Sequence, residues 1–202
     1  SRLTTWTGKD GKTENYTYDG HGNILTYTDK TGRVSRYAYD LNDNLTQVTI
    51  PGGGDTFYAY DSMNWLTQYT DALGRATRYT YDLEGNLTTL TDASGRTESY
   101  TYDALGRMTD YTMPGGSKIH YDYDKLNSLI EKSYTDAEGN PAEEAVRYGY
   151  DTAGQRLSMM DTTGTSAYTY DALGRIATVT SGSGKTVSYA YDETDHLASI
   201  DY

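Results

Sequence analysis

The string Tyr-x-Tyr-Asp occurs nine times in 202 residues, and no other feature constrains the fold as strongly. The tyrosine pairs are Tyr16/Tyr18, Tyr37/Tyr39, Tyr58/Tyr60, Tyr79/Tyr81, Tyr100/Tyr102, Tyr121/Tyr123, Tyr148/Tyr150, Tyr168/Tyr170 and Tyr189/Tyr191. Asp follows every time, at Asp19, Asp40, Asp61, Asp82, Asp103, Asp124, Asp151, Asp171 and Asp192. The second tyrosines are spaced by 21, 21, 21, 21, 21, 27, 20 and 21 residues. A period of this length marks one supersecondary unit that gains stability by stacking on its neighbours.

Three residues past each Asp stand Gly22, Asp43, Asn64, Gly85, Gly106, Asn127, Gly154, Gly174 and Asp195. These are the three residue types that tolerate the left-handed backbone conformation. Asp at the first place of a type I turn, with a left-handed residue closing it, is hairpin chemistry. Each Tyr-x-Tyr strand therefore runs directly into a tight reversal. An apolar residue six places past the second Tyr marks the returning strand: Ile24, Leu45, Leu66, Leu87, Met108, Leu129, Ile176 and Leu197. In the seventh repeat it falls one place later, at Leu157, which predicts an extra residue in that turn.

A second turn closes each unit, as at Asp29-Lys-Thr-Gly-Arg33, Asp71-Ala-Leu-Gly-Arg75, Asp92-Ala-Ser-Gly-Arg96 and Asp136-Ala-Glu-Gly-Asn140. Elsewhere it becomes Pro51-Gly-Gly-Gly54, Pro114-Gly-Gly116 or Gly182-Ser-Gly184. Two turns per unit leave strands of roughly six or seven residues, about 20 Å long. The expectation is all-β: tandem β-hairpin repeats of about 21 residues in one long antiparallel sheet. Nine hairpins give about eighteen strands; at ~4.8 Å each, such a sheet extends roughly 85 Å and must twist and curl. The interval of 27 places a longer loop or extended hairpin at about 134–147. The whole of 1–202 reads as one array of about nine repeats, a piece of something longer.

A strand's period of two sends both tyrosines of Tyr-x-Tyr to one face. The residue between them is small or polar (Thr17, Ala38, Ala59, Thr80, Thr101, Asp122, Gly149, Thr169, Ala190) and faces the other way. The Tyr face is thus the packed one, with two aromatic columns whose ring edges meet ring faces. Each phenol can end in water or on a backbone carbonyl. On the returning strand, apolar residues recur at both +6 and +9 from the second Tyr, the latter being Tyr27, Val48, Tyr69, Leu90, Tyr111, Val179 and Ile200. That odd separation requires either a bulge that re-phases the strand or partial burial of both faces.

Composition narrows the function classes. Lys and Arg number 17 against 29 Asp and Glu, a net charge of −12, which argues against a nucleic-acid surface or electrostatic docking on anionic membranes. There is no Cys, so disulfides and thiolate metal sites are excluded. No apolar run approaches the ~18 residues of a spanning helix. The strands are also too short and too polar for a membrane barrel, so membrane insertion is not expected.

The pattern Tyr-x-Tyr-Asp-x-x-Gly-Arg followed by an aliphatic residue resembles the YD repeat of bacterial RHS proteins and animal teneurins. Tyr100–Met108 and Tyr168–Ile176 are its closest units, and the resemblance runs from about Tyr16 to the end. It implies hairpins wound as a spiralling sheet into a hollow shell, which in bacteria encloses a C-terminal toxin. Family members also carry a segment that plugs the shell and autocleaves, and no stretch here resembles it. The implied role is a non-catalytic wall, with neither enzyme activity nor cofactor. Its partners would be the rest of the parent shell and the enclosed toxin domain, in a secreted or cell-surface bacterial protein. Exposed sheet edges could also pair between molecules.

Other candidate chemistries are weaker. His21, His120 and His196 share no repeat position or metal-ligand spacing and read as exposed and uncoupled. Asp40-Leu-Asn42-Asp43-Asn44 imitates the start of a calcium loop, but Pro51 stands where the twelfth-position Glu belongs. Arg33, Arg75, Arg96, Arg107 and Arg175 follow turn glycines and read as pairing with turn aspartates of neighbouring hairpins. Gly52-Gly53-Gly54 lacks the Lys and helix of a phosphate loop. The alternative function is a carbohydrate- or cell-wall-binding aromatic array. Repeats of that kind rely on Trp or Tyr-Tyr-Phe runs, whereas this chain has two Trp and one Phe.

Overall fold

The computed structural model describes residues 2–202, which contain nineteen strands and no helix. All pairings are antiparallel and belong to one open sheet. The chain divides into two compact units, residues 1–98 and 99–202. The first holds β1 (Thr5–Thr7), β2 (Thr13–Tyr18), β3 (Ile24–Thr28), β4 (Val34–Tyr39), β5 (Leu45–Ile50), β6 (Gly54–Tyr60), β7 (Leu66–Thr70), β8 (Ala76–Tyr81) and β9 (Leu87–Thr91). The boundary falls within β10 (Thr97–Tyr102). The second unit continues with β11 (Met108–Thr112), β12 (Lys118–Tyr123), β13 (Leu129–Thr135), β14 (Pro141–Tyr150) and β15 (Arg156–Asp161). It ends with β16 (Gly164–Tyr170), β17 (Ile176–Thr180), β18 (Thr186–Tyr191) and β19 (Leu197–Asp201).

Each even-numbered strand from β2 to β18 carries a Tyr-x-Tyr and forms a hairpin with the strand after it. The odd +6/+9 spacing resolves as a bulge. In the first hairpin Tyr16 faces Tyr27 and Thr17 faces Thr26, but Tyr18 faces Ile24, so Leu25 is the extra residue. The same shift recurs between Ala38 and Tyr39, Ala59 and Tyr60, and Thr80 and Tyr81 in the first unit. It recurs in all five hairpins of β10 to β19. One skipped residue returns the +6 and +9 side chains to the same face as the tyrosines.

The variations in period also have a structural origin. The interval of 27 is an extended hairpin: β13 and β14 are lengthened, with two register irregularities, and meet in an ordinary turn from Asp136 to Asn140. The interval of 20 comes from β15–β16, where Asp161 pairs directly with Gly164. The extra residue expected before Leu157 is absent. Tyr150 faces Arg156 in the usual register, so Arg156 occupies the +6 slot and Leu157 is the bulge residue.

Among the described residues no hydrophobic side chain is fully buried. The Tyr face is half-covered by neighbouring rings and stems, while Leu41 and Leu83 at turn tips are 99% and 92% exposed. Stability therefore comes from ladder hydrogen bonds and repeated side-chain pairs, since an isolated hairpin is marginal in water.

Candidate functional site: the tyrosine face and the turns

The two tyrosines of a pair do different work. The first stands opposite the +9 residue of its own hairpin. Where that residue is Tyr the rings meet: Tyr16–Tyr27 at 5.1 Å, Tyr58–Tyr69 at 5.5 Å and Tyr100–Tyr111 at 5.3 Å between centroids. Their interplanar angles of 32°, 53° and 18° are tilted to stacked, not edge-to-face. Across the link to the following repeat, the +9 residue meets Ser35, Thr77, Ile119 or Val187. The rows are mixed, not columns of tyrosine alone.

The second tyrosine reaches backwards. In five repeats its hydroxyl donates to the carbonyl of the residue that opens the bulged strand of the preceding repeat, and Tyr18 does the same to Leu3 ahead of β1. Tyr81 bonds Leu66 at 2.9 Å, Tyr123 bonds Met108 at 2.9 Å, Tyr150 bonds Leu129 at 3.0 Å and Tyr191 bonds Ile176 at 3.1 Å. Tyr18 uses Leu3 at 2.7 Å and Tyr170 uses Arg156 at 2.9 Å. A bulge disrupts the ladder locally, and the phenol of the next repeat supplies a donor there. Desolvation raises the pKa of Tyr39, Tyr60, Tyr81, Tyr123 and Tyr150, which favours the neutral phenol in each and keeps Tyr81, Tyr123 and Tyr150 as donors.

Two slots on this face escaped the apolar pattern. Arg156, at +6, lies over the Tyr168 ring at 4.5 Å. Lys132, at +9, sits 5.7 Å from Tyr121 and 5.6 Å from Tyr134. A cation over an aromatic face, carried on an apolar stem, fills a slot otherwise held by Leu or Tyr.

The hairpin turns are nearly identical. In all nine the Asp N–H donates to the carbonyl four residues on, and the left-handed residue has a φ between 65° and 110°. Asp43, Asn64, Asn127 and Asp195 are the only non-Gly residues with positive φ among the described residues. The Asp carboxylate caps its own loop. Asp103 Oδ1, for instance, accepts from Leu105 N at 2.9 Å and Arg107 N at 3.1 Å. Asp40 does the same with Asn42 and Asn44 at 2.9 Å each, so the calcium-loop imitation is a capped turn. Among the described residues no group of three His or carboxylate side chains is arranged to hold a metal ion. Bonds from Asn44, and in the third hairpin's link from Arg75, hold Asp40 and Asp71 below the ordinary carboxylate range.

The arginine pairing differs from expectation. Arg33, Arg75, Arg96, Arg107 and Arg175 each pair with the Asp four residues earlier in their own turn, at 3.0, 2.6, 2.7, 2.6 and 2.7 Å. The backbone bond that closes the turn places those two residues opposite each other, so the shared partner is local; Arg175 alone also meets a turn aspartate of the neighbouring hairpin, Asp195, at 2.6 Å. Arg107 and Arg175 also lie 4.7 and 4.4 Å from the rings of Tyr123 and Tyr191.

The histidines are not uncoupled. His21 Nδ1 lies 2.8 Å from Asp43. On the face opposite the tyrosines, His120 stands between Asp110 at 3.0 Å and Asp122 at 3.3 Å, and Thr101 Oγ1 donates to Asp110 at 2.8 Å. The hydrogen bond to Asp110 raises the His120 pKa against desolvation. Thr101 bonds the carboxylate and not the imidazole, so this is a buttress between strands and not a nucleophile–base pair. His196 bonds Thr194 at 2.8 Å.

Comparison with known proteins places this geometry. The sequence matches the family described as Teneurin YD-shell over residues 2–142, and RHS Repeat over 150–186 and 170–202. No protein of curated function matches the sequence. The crystal structure of TcdB2-TccC3-TEV is similar with a TM-score of 0.74 at 17% identity, over 97% of this chain and 13% of that chain. The Photorhabdus luminescens Tc holotoxin pore, in a mutated form, gives a TM-score of 0.60 at 16% identity, over 98% of this chain and 15% of that one. At these identities the likeness is one of fold. This chain spans about one-seventh of the length of the chains it resembles.

Proposed function

Because this chain belongs to the Teneurin YD-shell family, we propose that it is a non-catalytic wall segment. The wall encloses a C-terminal toxin or effector domain of the same parent polypeptide, a secreted or surface-delivered bacterial toxin. One observation carries the reading. The second tyrosine of a repeat hydrogen-bonds the backbone of the repeat before it, at six places with 2.7–3.1 Å geometry. Side chains that would define a ligand site are thereby spent on joining repeat to repeat. The mechanism is containment: a continuous hydrogen-bonded sheet separates its cargo from solvent and from proteases. Its partners are the remainder of the wall and the enclosed domain.

The test is protease digestion and particle imaging of the full-length parent. Containment predicts an internal volume and a C-terminal domain that resists protease until the wall is denatured. A solid rod, or a C-terminal domain digested at the rate of a free domain, contradicts it. Micromolar binding of cell-wall glycans, abolished by Tyr→Ala changes on one row, would instead favour the carbohydrate-array reading.

A further inference from the structure

At six junctions the residue four places after the hairpin aspartate has a second use. Asn23 Nδ2 donates to Asp19 Oδ2 at 3.0 Å in its own turn and to Asp43 Oδ1 at 2.7 Å in the next. Asn44 Nδ2 likewise joins Asp40 Oδ2 at 3.0 Å and Asn64 Oδ1 at 2.7 Å. Arg107 sends Nε to Asp103 at 2.7 Å and Nη1 to Asn127 Oδ1 at 3.0 Å. Arg175 sends Nε to Asp171 at 2.7 Å and Nη1 to Asp195 Oδ1 at 2.6 Å. In each case the acceptor is the left-handed residue of the following repeat. Asn and Arg suit this place because both present several N–H groups, so one side chain can serve two acceptors.

Where the left-handed residue is Gly, three junctions show a bulky neighbour in the space instead. A Cβ on Gly85 would lie 2.8 Å from Cζ2 of Trp65, and one on Gly174 would lie 3.0 Å from Nε2 of Gln155. A Cβ on Gly22 would run into the guanidinium of Arg2, which bonds the carbonyls of Asp19 and His21 at 3.1 and 2.9 Å. Gly106 and Gly154 are the contrast: a Cβ on either would meet nothing within 4 Å, and Gly154 follows the short Ser128.

We infer that this fourth residue is an adaptor that selects the left-handed residue of the next repeat, so that adjacent YD repeats are matched pairs. Asn23, Asn44, Arg107 and Arg175, which reach across with a second N–H, are matched by Asp or Asn, whereas Trp65 and Gln155, which fill the space, are matched by Gly. Asn86 ahead of Gly106 and Ser128 ahead of Gly154 stand outside the pairing. The choice among three residue types that can all adopt a positive φ is thus influenced by the neighbour, and repeats are not freely interchangeable. The inference concerns the joining of repeats and holds whatever the wall encloses.

Pairwise substitution tests it, read as thermal midpoint and as amide exchange in the two turns concerned. Asn64→Gly removes the acceptor while leaving the Asn44–Asp40 bond, and is expected to lower the midpoint by about 2–4 °C. Asn44→Arg combined with Asn64→Asp rebuilds the Arg175–Asp195 pair and is expected to retain the wild-type midpoint, while Asn64→Asp alone does not exceed it. Gly85→Asn is expected to lower the midpoint and loosen its own turn, and Trp65→Asn added to it to recover part of that loss. Gly154→Asn, at a φ of 82° with open space around it, is expected to lower the midpoint less than Gly85→Asn does. Strictly additive effects in both pairs, or equal losses for Gly85→Asn and Gly154→Asn, would overturn the inference.

Discussion

The protein has two sets of turns, and only one of them is uniform. The nine turns inside the hairpins all begin with Asp, span the same number of residues and close with the same backbone bond. The turns that link one hairpin to the next begin with Gly8, Asp29, Ile50, Asp71, Asp92, Met113, Asp136, Ser181 or, in the shortest, Asp161. Both irregular intervals arise on the linking side of a repeat, the 27 in the lengthened strands around an ordinary turn and the 20 in the turn itself. Yet the geometry is shared: Asp29, Asp71 and Asp92 cap their linking turns as Asp103 caps a hairpin turn. What differs is coupling. The hairpin turn adjoins the bulge of its own hairpin and two contacts to a neighbouring repeat, the tyrosine hydroxyl bond and the adaptor, so a change in its length disturbs all three. A linking turn meets the next linking turn through close packing of small residues, as where a Cβ on Gly54 would lie 3.2 Å from Ala72 and one on Gly116 3.0 Å from Ala137.

The largest effect expected from this difference is that of an inserted residue. One Gly added after Gly106 shifts the bulge and everything paired through it, and should cost about 3 kcal/mol or more. The same insertion after Gly184 should cost below about 1 kcal/mol, since loop length itself is cheap. Thermal or urea unfolding distinguishes them, and equal costs would erase the contrast. Next, Tyr81→Ala should cost roughly 2–3 kcal/mol, less than for a fully buried ring, while Thr80→Ala on the open face stays within about 0.5 kcal/mol.

Gly106→Val and Gly184→Val, at φ of 76° and 82° with open space around both, should each cost about 1–3 kcal/mol. Similar costs here, together with unequal insertions, would show that the two sets differ in coupling and not in turn geometry. Tyr81→Phe removes only the hydroxyl bond to Leu66 and should cost about 1 kcal/mol by denaturant unfolding. The smallest effect is that of pH. The His120 pKa is raised in the folded protein, so its stabilisation is complete below the ordinary value of 6.5 and fades as pH rises through the raised value. The thermal midpoint should therefore fall more steeply above pH 6.5 in the wild type than in His120→Gln.

The fold was readable because its signals repeat: a period of two, a left-handed position every repeat, and an odd +6/+9 spacing that only a bulge or two-sided burial accommodates. The partners of polar groups were harder to read. The tyrosine hydroxyl acceptor is a backbone carbonyl, which carries no residue identity. The own-turn partner of Arg107 follows from a closing bond that sets Asp103 opposite it, whereas the sequence shows only that many aspartates are nearby. Arg156 concealed the seventh +6 slot because a guanidinium on a ring does the work of an aliphatic side chain. His120 was misjudged because its carboxylates come from Asp110 on another strand and Asp122 two residues along.

Native-state hydrogen exchange of the intact protein tests the central claim, that repeats are locked to one another at their hairpin turns. The informative protons are the amides that close the two sets of turns, such as those of Asp82, Asp103 and Asp171 against Asp29, Asp92 and Ser181. The account predicts slower exchange for the hairpin set in every pair of adjacent turns, with the difference at Asp82 reduced by Tyr81→Phe. Equal protection in both sets, or slower exchange at the linking turns, would contradict it.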